Sequence, residues 1–382
     1  MNKQGIVKSI STLFPTEWHS ATKFGMNQIL ITIAMSSFYG INRICKIASF
    51  TGDGLVRALL KLDKAINKNM ISATLKKLGQ GGARKMQVLL LSKNARWLEE
   101  SGLESITLDA DSTVKSVCGN QQGTAKGFNT TKKGAKSYHP LLVFVSEMKL
   151  LYHTWFRTGS AYTSNGIVDF LKEVEVSLLK NITKVFFRAN SGFFSGKLFD
   201  FLESFGWDYL VKVKLKNLAV LLKKQEWEVI DERKYIAICE FTYKAGSWEG
   251  ARILKAIRTV KKYVETDFFG ESKIVPVDQY ACYIGNYDLD AAELHKIYKQ
   301  RSTSEFCDER DQSKLVLNWR AKMQNPWSLT WIEQVKGHVM AGATLTGDFW
   351  ANDILWQLFQ KLRVEWSLLQ LYQNEEIISV AN

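Results

Sequence analysis

The 382-residue chain is 46% hydrophobic with only 4 Pro, and its 51 Lys and Arg against 38 Asp and Glu give a formal net charge of +13. That length and apolar content describe a chain folding around a core as two or three domains, which excludes intrinsic disorder. The five Cys stand at 45, 118, 239, 282 and 307 without a CxxC pair, so no zinc ribbon or disulfide scaffold is signalled and a reducing compartment fits. The longest apolar run near the N-terminus, Ile29 to Met35, is too short to span a bilayer and no basic-then-apolar leader precedes it, so a cytoplasmic location is expected.

The charge is unevenly placed. Residues 1–95 hold fourteen Lys and Arg against Glu17, Asp53 and Asp63, an excess of +11, which predicts a basic helical module able to bind phosphate. Within it, Met26 to Leu78 reads as short amphipathic helices broken at Gly40, at Thr51-Gly52-Asp53-Gly54 and at Asn67/Asn69. Leu55, Leu59, Leu60 and Leu62 are expected to face a small core. The arrangement suits a helix-turn-helix and equally any three-helix bundle. Gly79, Gly81 and Gly82 with Gln80 read as a linker or hinge, followed by a strand over Met86 to Leu91.

From Leu103 the pattern turns to strands. An apolar strand carries Ile106, Leu108, Asp109 and Asp111; a Gly-bearing stretch (Gly119, Gly123, Gly127, Gly134) separates it from strands over Pro140 to Val145 and Lys149 to Phe156. A helix over Ile167 to Leu179, a strand over Thr183 to Phe187, a helix over Leu198 to Phe205 and a strand over Tyr209 to Val213 follow, predicting an α/β fold with a mixed sheet flanked by helices. Tyr235 to Tyr243 and Arg252 to Val260, joined by a turn at 244–250, predict an antiparallel hairpin inserted between 216 and 288. Helices are expected over Leu289 to Arg320 and Trp350 to Leu369. The resulting division is 1–95, 96–215, 216–288 and 289–382.

Asp109 and Asp111 are two residues apart, so a regular strand puts both on one face. Two desolvated carboxylates need a cation, and a divalent metal with oxygen ligands is one answer. The alternative is one structural Asp and one strand-end Asp capping the Ser112-Thr113 turn. Tyr298, Arg301 and Glu305 share one helix face at spacings of three and four, presenting a hydroxyl, a guanidinium and a carboxylate together; a plain surface helix with an Arg301–Glu305 pair has the same spacing. His139 and His153 follow no metal-ligand spacing and read as structural, while Arg157, Lys212, Lys214 and Lys216 suit either a DNA groove or a solvated face.

The LDADST strand, Arg188-Ala-Asn-Ser-Gly-Phe193 after a later strand, and the helix bearing Tyr298, Arg301 and Glu305 together resemble insertion-sequence transposases of the DDE class. Gly127-Phe-Asn129, Tyr138-His-Pro-Leu141, Phe156-Arg-Thr-Gly-Ser160 and Phe349-Trp-Ala-Asn352 add to the likeness, which runs from about Gly40 to Leu369. The resemblance implies a ribonuclease H-like catalytic domain with a β-rich insertion and a helical N-terminal DNA-binding module. It makes Asp111 the first catalytic carboxylate and Glu305 the third, with Tyr298, Arg301 and Lys314 on DNA; Gln312 stands where the family carries its Lys. It further implies Mg2+ or Mn2+ at Asp111 and Glu305, with Asp109 as a weak extra ligand. The partners would be double-stranded DNA, as element terminal inverted repeats and target, and a second copy in a homodimer, in a nucleoid-associated bacterial setting.

The family's second carboxylate falls on Asn190. An amide oxygen can coordinate a hard cation but brings no charge, so DNA binding with impaired cleavage and strand transfer is the expectation for this chain. A haloacid-dehalogenase-type phosphatase, with Asp109 as nucleophile and Asp111 as acid, is the rival reading; it requires a helix directly after the loop, where strands are expected.

Overall fold

The structure is a computed structural model that describes residues 6–14, 24–41, 43–127, 129, 132–178, 180–268, 271–302 and 346–362. Five helices lead the chain: α1 (Ile6–Leu13), α2 (Met26–Phe38), α3 (Ile44–Phe50), α4 (Gly54–Leu60) and α5 (Lys68–Glu100). Their starts follow cap chemistry. Asp53 accepts from the backbone of Leu55 and Val56 at 2.8 and 3.2 Å, and Asn67 accepts from Asn69 at 2.8 Å, satisfying amides that a helix N-terminus leaves open.

Two expectations fail here. Leu55 and Leu59 are 70% and 67% exposed. The seven-residue α4 closes on Lys61 in a left-handed conformation (φ 52), which turns Leu60 and Leu62 toward the core and leaves the opposite face outside. Met86 to Leu91 is no strand but the middle of α5. Ala83, Met86 and Leu90 recur at helical spacing on its buried side while Val88 is exposed, a period that a short apolar run does not reveal by itself. Of linker or hinge, the glycine stretch before it takes the second form: a kink inside α5, with Gly79 leaving helical geometry (φ 51, ψ −151).

The main sheet contains β1 (Ser105–Ser112), β5 (Leu141–Val145), β6 (Leu150–Trp155), β7 (Lys184–Ala189), β8 (Asp208–Lys212), β9 (Glu228–Asp231), β10 (Ile236–Tyr243), β11 (Arg252–Phe268) and β12 (Glu271–Gly285), ordered β6-β5-β1-β7-β8-β12-β11-β10-β9. β1 lies between antiparallel β5 and parallel β7, and β7 pairs with β8 in parallel. Parallel neighbours need crossovers, and α6 (Ile167–Ser177) and α7 (Gly196–Ser204) are the helices between them in sequence. The segment expected as an inserted hairpin is antiparallel, yet it is continuous with this sheet: β12, which sequence patterning missed, pairs Gly285 with Leu210 of β8. A Cβ on Gly285 would overlap the Tyr209 carbonyl, so only glycine lets the two strands pass so closely.

The Gly-bearing stretch folds into a small second sheet, also unforeseen, of β2 (Lys115–Ser116), β3 (Ala125–Lys126) and β4 (Lys136–Tyr138) in the order β2-β4-β3. Its strands are two or three residues long, too short for an alternation signal. α8 (Leu218–Lys223) precedes β9, and α9 (Ala291–Ser302) follows β12. The last described helix, α10 over 349–362, is buried through Ile354, Leu355, Trp356 and Phe359, and Trp356 Nε1 donates to Thr154 Oγ1 of β6 at 2.9 Å. The remainder of the two expected C-terminal helices lies outside the described residues. Among the described residues no helix is long and apolar enough to cross a membrane.

Candidate active site

The centre of the site follows from strand register. β1 and β7 run parallel with Ala110 opposite Ala189, so the residues that come next, Asp111 and Asn190, emerge side by side where β7 ends. Asn190 Oδ1 accepts from Gly192 N at 2.8 Å and caps a single 3-10 turn over Ser191–Phe193. That bond fixes the amide orientation. Its Nδ2 is left to donate to Asp111 Oδ1 at 3.0 Å, and the same oxygen accepts from Ser112 N at 2.7 Å.

Both aspartates of β1 are answered by arginine. Asp109 is held by Arg188 in a two-pronged pair, Nε to Oδ1 at 2.8 Å and Nη2 to Oδ2 at 2.7 Å, with both side chains buried. Arg188 also donates through Nη1 to the Ile297 carbonyl of α9 at 3.0 Å. Arg301, three residues after Tyr298 on α9, is buried; its Nη2 donates to Ala110 O at 2.9 Å and stands 3.7 Å from Asp111 Oδ1. The two aspartates therefore share the face that α9 covers, each with a guanidinium beside it. Tyr298 lies against Tyr283 instead, ring centroids 4.9 Å apart. Glu305 and Lys314 lie outside the described residues.

A neutral hydrogen-bond chain borders the centre. His139 Nδ1 meets the Ala161 carbonyl at 2.6 Å and so must donate; Nε2 then accepts from Ser112 Oγ at 3.1 Å, which in turn accepts from Thr163 Oγ1 at 3.1 Å. Burial holds the His139 pKa below its ordinary value, in keeping with a neutral ring. Arg157, a possible DNA contact by sequence, is instead buried as a clamp: Nε donates to His139 O at 2.9 Å and Nη1 to Asn165 O at 2.7 Å, pinning the 158–165 loop. Lys212, Lys214 and Lys216 are exposed. The Phe349-Trp-Ala-Asn352 segment is also structural, since Asn352 accepts from Thr346 N at 3.2 Å at the start of α10 and donates to Tyr138 Oη at 3.3 Å.

The structure brings together Asp111 and Asn190, both singled out from the sequence, whereas Arg188 as the partner of Asp109 was missed. The signal was present in the sequence, because a buried acid on a strand needs a buried base on a neighbour, and Arg188 is the basic residue at the end of the apolar strand over Thr183 to Phe187. The divalent ion expected at Asp111 can be tested against this geometry. Among the described residues no group of three or more His, Cys, Asp or Glu could hold a metal. Asp111 offers one carboxylate, with Oδ1 engaged by two donors and a guanidinium close by. Of the expected metal ligands the described residues include Asp109 and Asp111, and each meets a guanidinium or amide donor rather than a second carboxylate.

The family of transposase DDE domains, group 1, matches residues 1–323. The chain belongs to that family. Proteins of the family generally use divalent metal ions; in this chain the neutral Asn190 and the cationic Arg301 stand beside Asp111. Among solved structures the chain is similar to a piggyBac transposase synaptic complex with hairpin DNA, at 12% identity and a TM-score of 0.39, covering 96% of this chain and 78% of that one. The comparison with curated proteins gave no match.

Proposed function

We propose that this chain is a DNA-binding transposase of the DDE class, with a ribonuclease H-like core, whose metal-dependent cleavage and strand transfer are impaired by Asn190. The observation carrying this reading is the 3.0 Å hydrogen bond from Asn190 Nδ2 to Asp111 Oδ1. Where the family pattern implies a second Asp, the two carboxylates would repel until a cation came between them; here an amide proton fills that role, and the pair carries one negative charge where two would draw a divalent ion. DNA affinity rests on a separate feature, the excess of +11 in residues 1–95, which favours binding to a polyanion such as the element's double-stranded ends. Asp111 remains the proposed metal ligand, with Glu305 as its partner and Tyr298, Arg301 and Lys314 on the DNA side; Asp109, engaged by Arg188, is proposed to orient α9 rather than to bind metal.

The test is incubation of the purified chain and of Asn190→Asp with DNA carrying the sequences that flank its gene, in Mg2+ or Mn2+. Salt-sensitive binding by both proteins is expected, with nicking at the element ends at least tenfold stronger for Asn190→Asp. Efficient cleavage by the unaltered chain would overturn the impairment, and absence of DNA binding at low salt would overturn the function as a whole.

A further inference from the structure

Asp111 and Asn190 are anchored in the same way. Asp111 Oδ1 accepts from the backbone N–H of Ser112 at 2.7 Å, and Asn190 Oδ1 accepts from that of Gly192 at 2.8 Å, so a nearby main-chain amide fixes each side chain. The two anchoring residues meet at one side chain. Thr163 Oγ1 lies 3.1 Å from Ser112 Oγ. On the other side, a Cβ on Gly192 would stand 3.0 Å from Thr163 Cβ and Cγ2 and 2.9 Å from Asn190 Oδ1, closer than such an atom normally approaches. Glycine at 192 therefore lets Thr163 press on the turn that carries the anchoring amide.

The direction of the hydroxyl bond is determined. His139 Nδ1 faces the Ala161 carbonyl and donates to it, which leaves Nε2 to accept the single proton of Ser112 Oγ. Thr163 must then donate to Ser112. Its hydroxyl serves the Asp111 side and its methyl group the Asn190 side.

Thr163 can act as a fixed point because its loop is held at both ends. Gly159 N donates to the Gly123 carbonyl at 3.1 Å, tying the start of the loop to the chain just before β3. Arg157 Nη1 reaches the carbonyls of Tyr162, Thr163 and Asn165 at 3.2, 3.3 and 2.7 Å, and that side chain is itself buried. A side chain on so constrained a backbone can hold its neighbours in place. We propose that Thr163 is a positioning residue for the Asp111–Asn190 pair, maintaining their 3.0 Å contact by holding Ser112 with its hydroxyl and Gly192 with its methyl group. Its effect on cleavage rests on the function proposed above, whereas the coupling itself needs neither DNA nor metal.

Two near-isosteric variants of the full chain separate the two arms. Thr163→Val keeps the methyl group and loses the hydroxyl; Thr163→Ser keeps the hydroxyl and loses the methyl group. Amide hydrogen exchange is followed by NMR on chains carrying isotope-labelled serine and glycine. Ser112 is expected to exchange roughly fivefold faster in Thr163→Val with Gly192 unchanged, and the reverse is expected in Thr163→Ser. In chains that also carry Asn190→Asp, either variant should lower the nicking rate about tenfold with DNA affinity unchanged. Exchange at both amides that matches the unaltered chain, both amides accelerated together in either variant, or an active Asn190→Asp chain whose nicking neither variant slows would each overturn the inference. An Asn190→Asp chain that binds DNA without nicking it counts against the proposed function alone, and the exchange pattern then decides the role of Thr163.

Discussion

Arg188 grips Asp109 with two hydrogen bonds of 2.7 and 2.8 Å while a third nitrogen reaches the Ile297 carbonyl, so a single guanidinium joins β1, β7 and α9. The two side chains are 5% and 6% exposed. An ion pair so enclosed is costly to break and cheap to replace. Removing one partner leaves a buried charge unanswered, whereas removing both leaves a space that apolar groups can fill.

Asp109→Asn or Arg188→Met alone is therefore expected to lower unfolding free energy by about 3–5 kcal/mol, and the double variant by clearly less than the sum. Urea denaturation of the three proteins checks this. Additive losses would mean that the pair is not the unit described.

Asn190→Asp sets a second carboxylate within hydrogen-bond distance of Asp111. One of the two is then held protonated above the usual carboxylate range. A carboxyl group whose folded pKa is raised loses stability as pH rises from its unfolded value of about 4. The variant should match the wild type near pH 4 and melt below it at pH 7, and Mg2+ should recover the difference. Thermal unfolding at the two pH values, with and without Mg2+, reads this out.

Lys115 lies between Phe156 and Trp356, 5.8 and 5.7 Å from the ring centroids, and burial pulls its pKa from 10.5 down to about 7. Between those values the unfolded chain holds a proton that the folded one has released, so this group makes stability rise with pH from about 7 to 10.5. Asp353 of α10 acts in the opposite sense in a separate window. Burial raises its pKa from 3.8 to about 7, so stability falls as pH rises between them. Lys115→Met should flatten the upper slope and raise stability at pH 7 by a few kcal/mol, and Asp353→Asn should flatten the lower one. Denaturant midpoints from pH 4 to 10 separate the two.

Leu55 and Leu62, seven positions apart in sequence, are expected to differ sharply. Leu62 is 6% exposed, and truncation to Ala should cost roughly 2–5 kcal/mol. Leu55→Ala, at a surface position, should stay within about 0.5 kcal/mol. Equal losses would place α4 the other way round.

Short-range features were legible in the sequence by itself. Short apolar and β-rich runs announced β1, β5, β6, β7 and β8, alternation announced β10, and the turn residues after β7 placed Asn190 at a strand end, because strand propensity and turn chemistry act over a few residues. Asp53 and Asn67 marked helix starts for the same reason. Only the tertiary structure decided the rest. Met86 to Leu91 became helix because its burial depends on β6, which lies more than fifty residues on. β12 became part of the main sheet because Gly285 meets a strand seventy-five residues earlier. Asp109 looked like a second metal ligand until Arg188, on a strand adjacent only in space, took both of its oxygens. A charge on a strand shows that an answer is required; which group supplies it is settled when distant segments pack together.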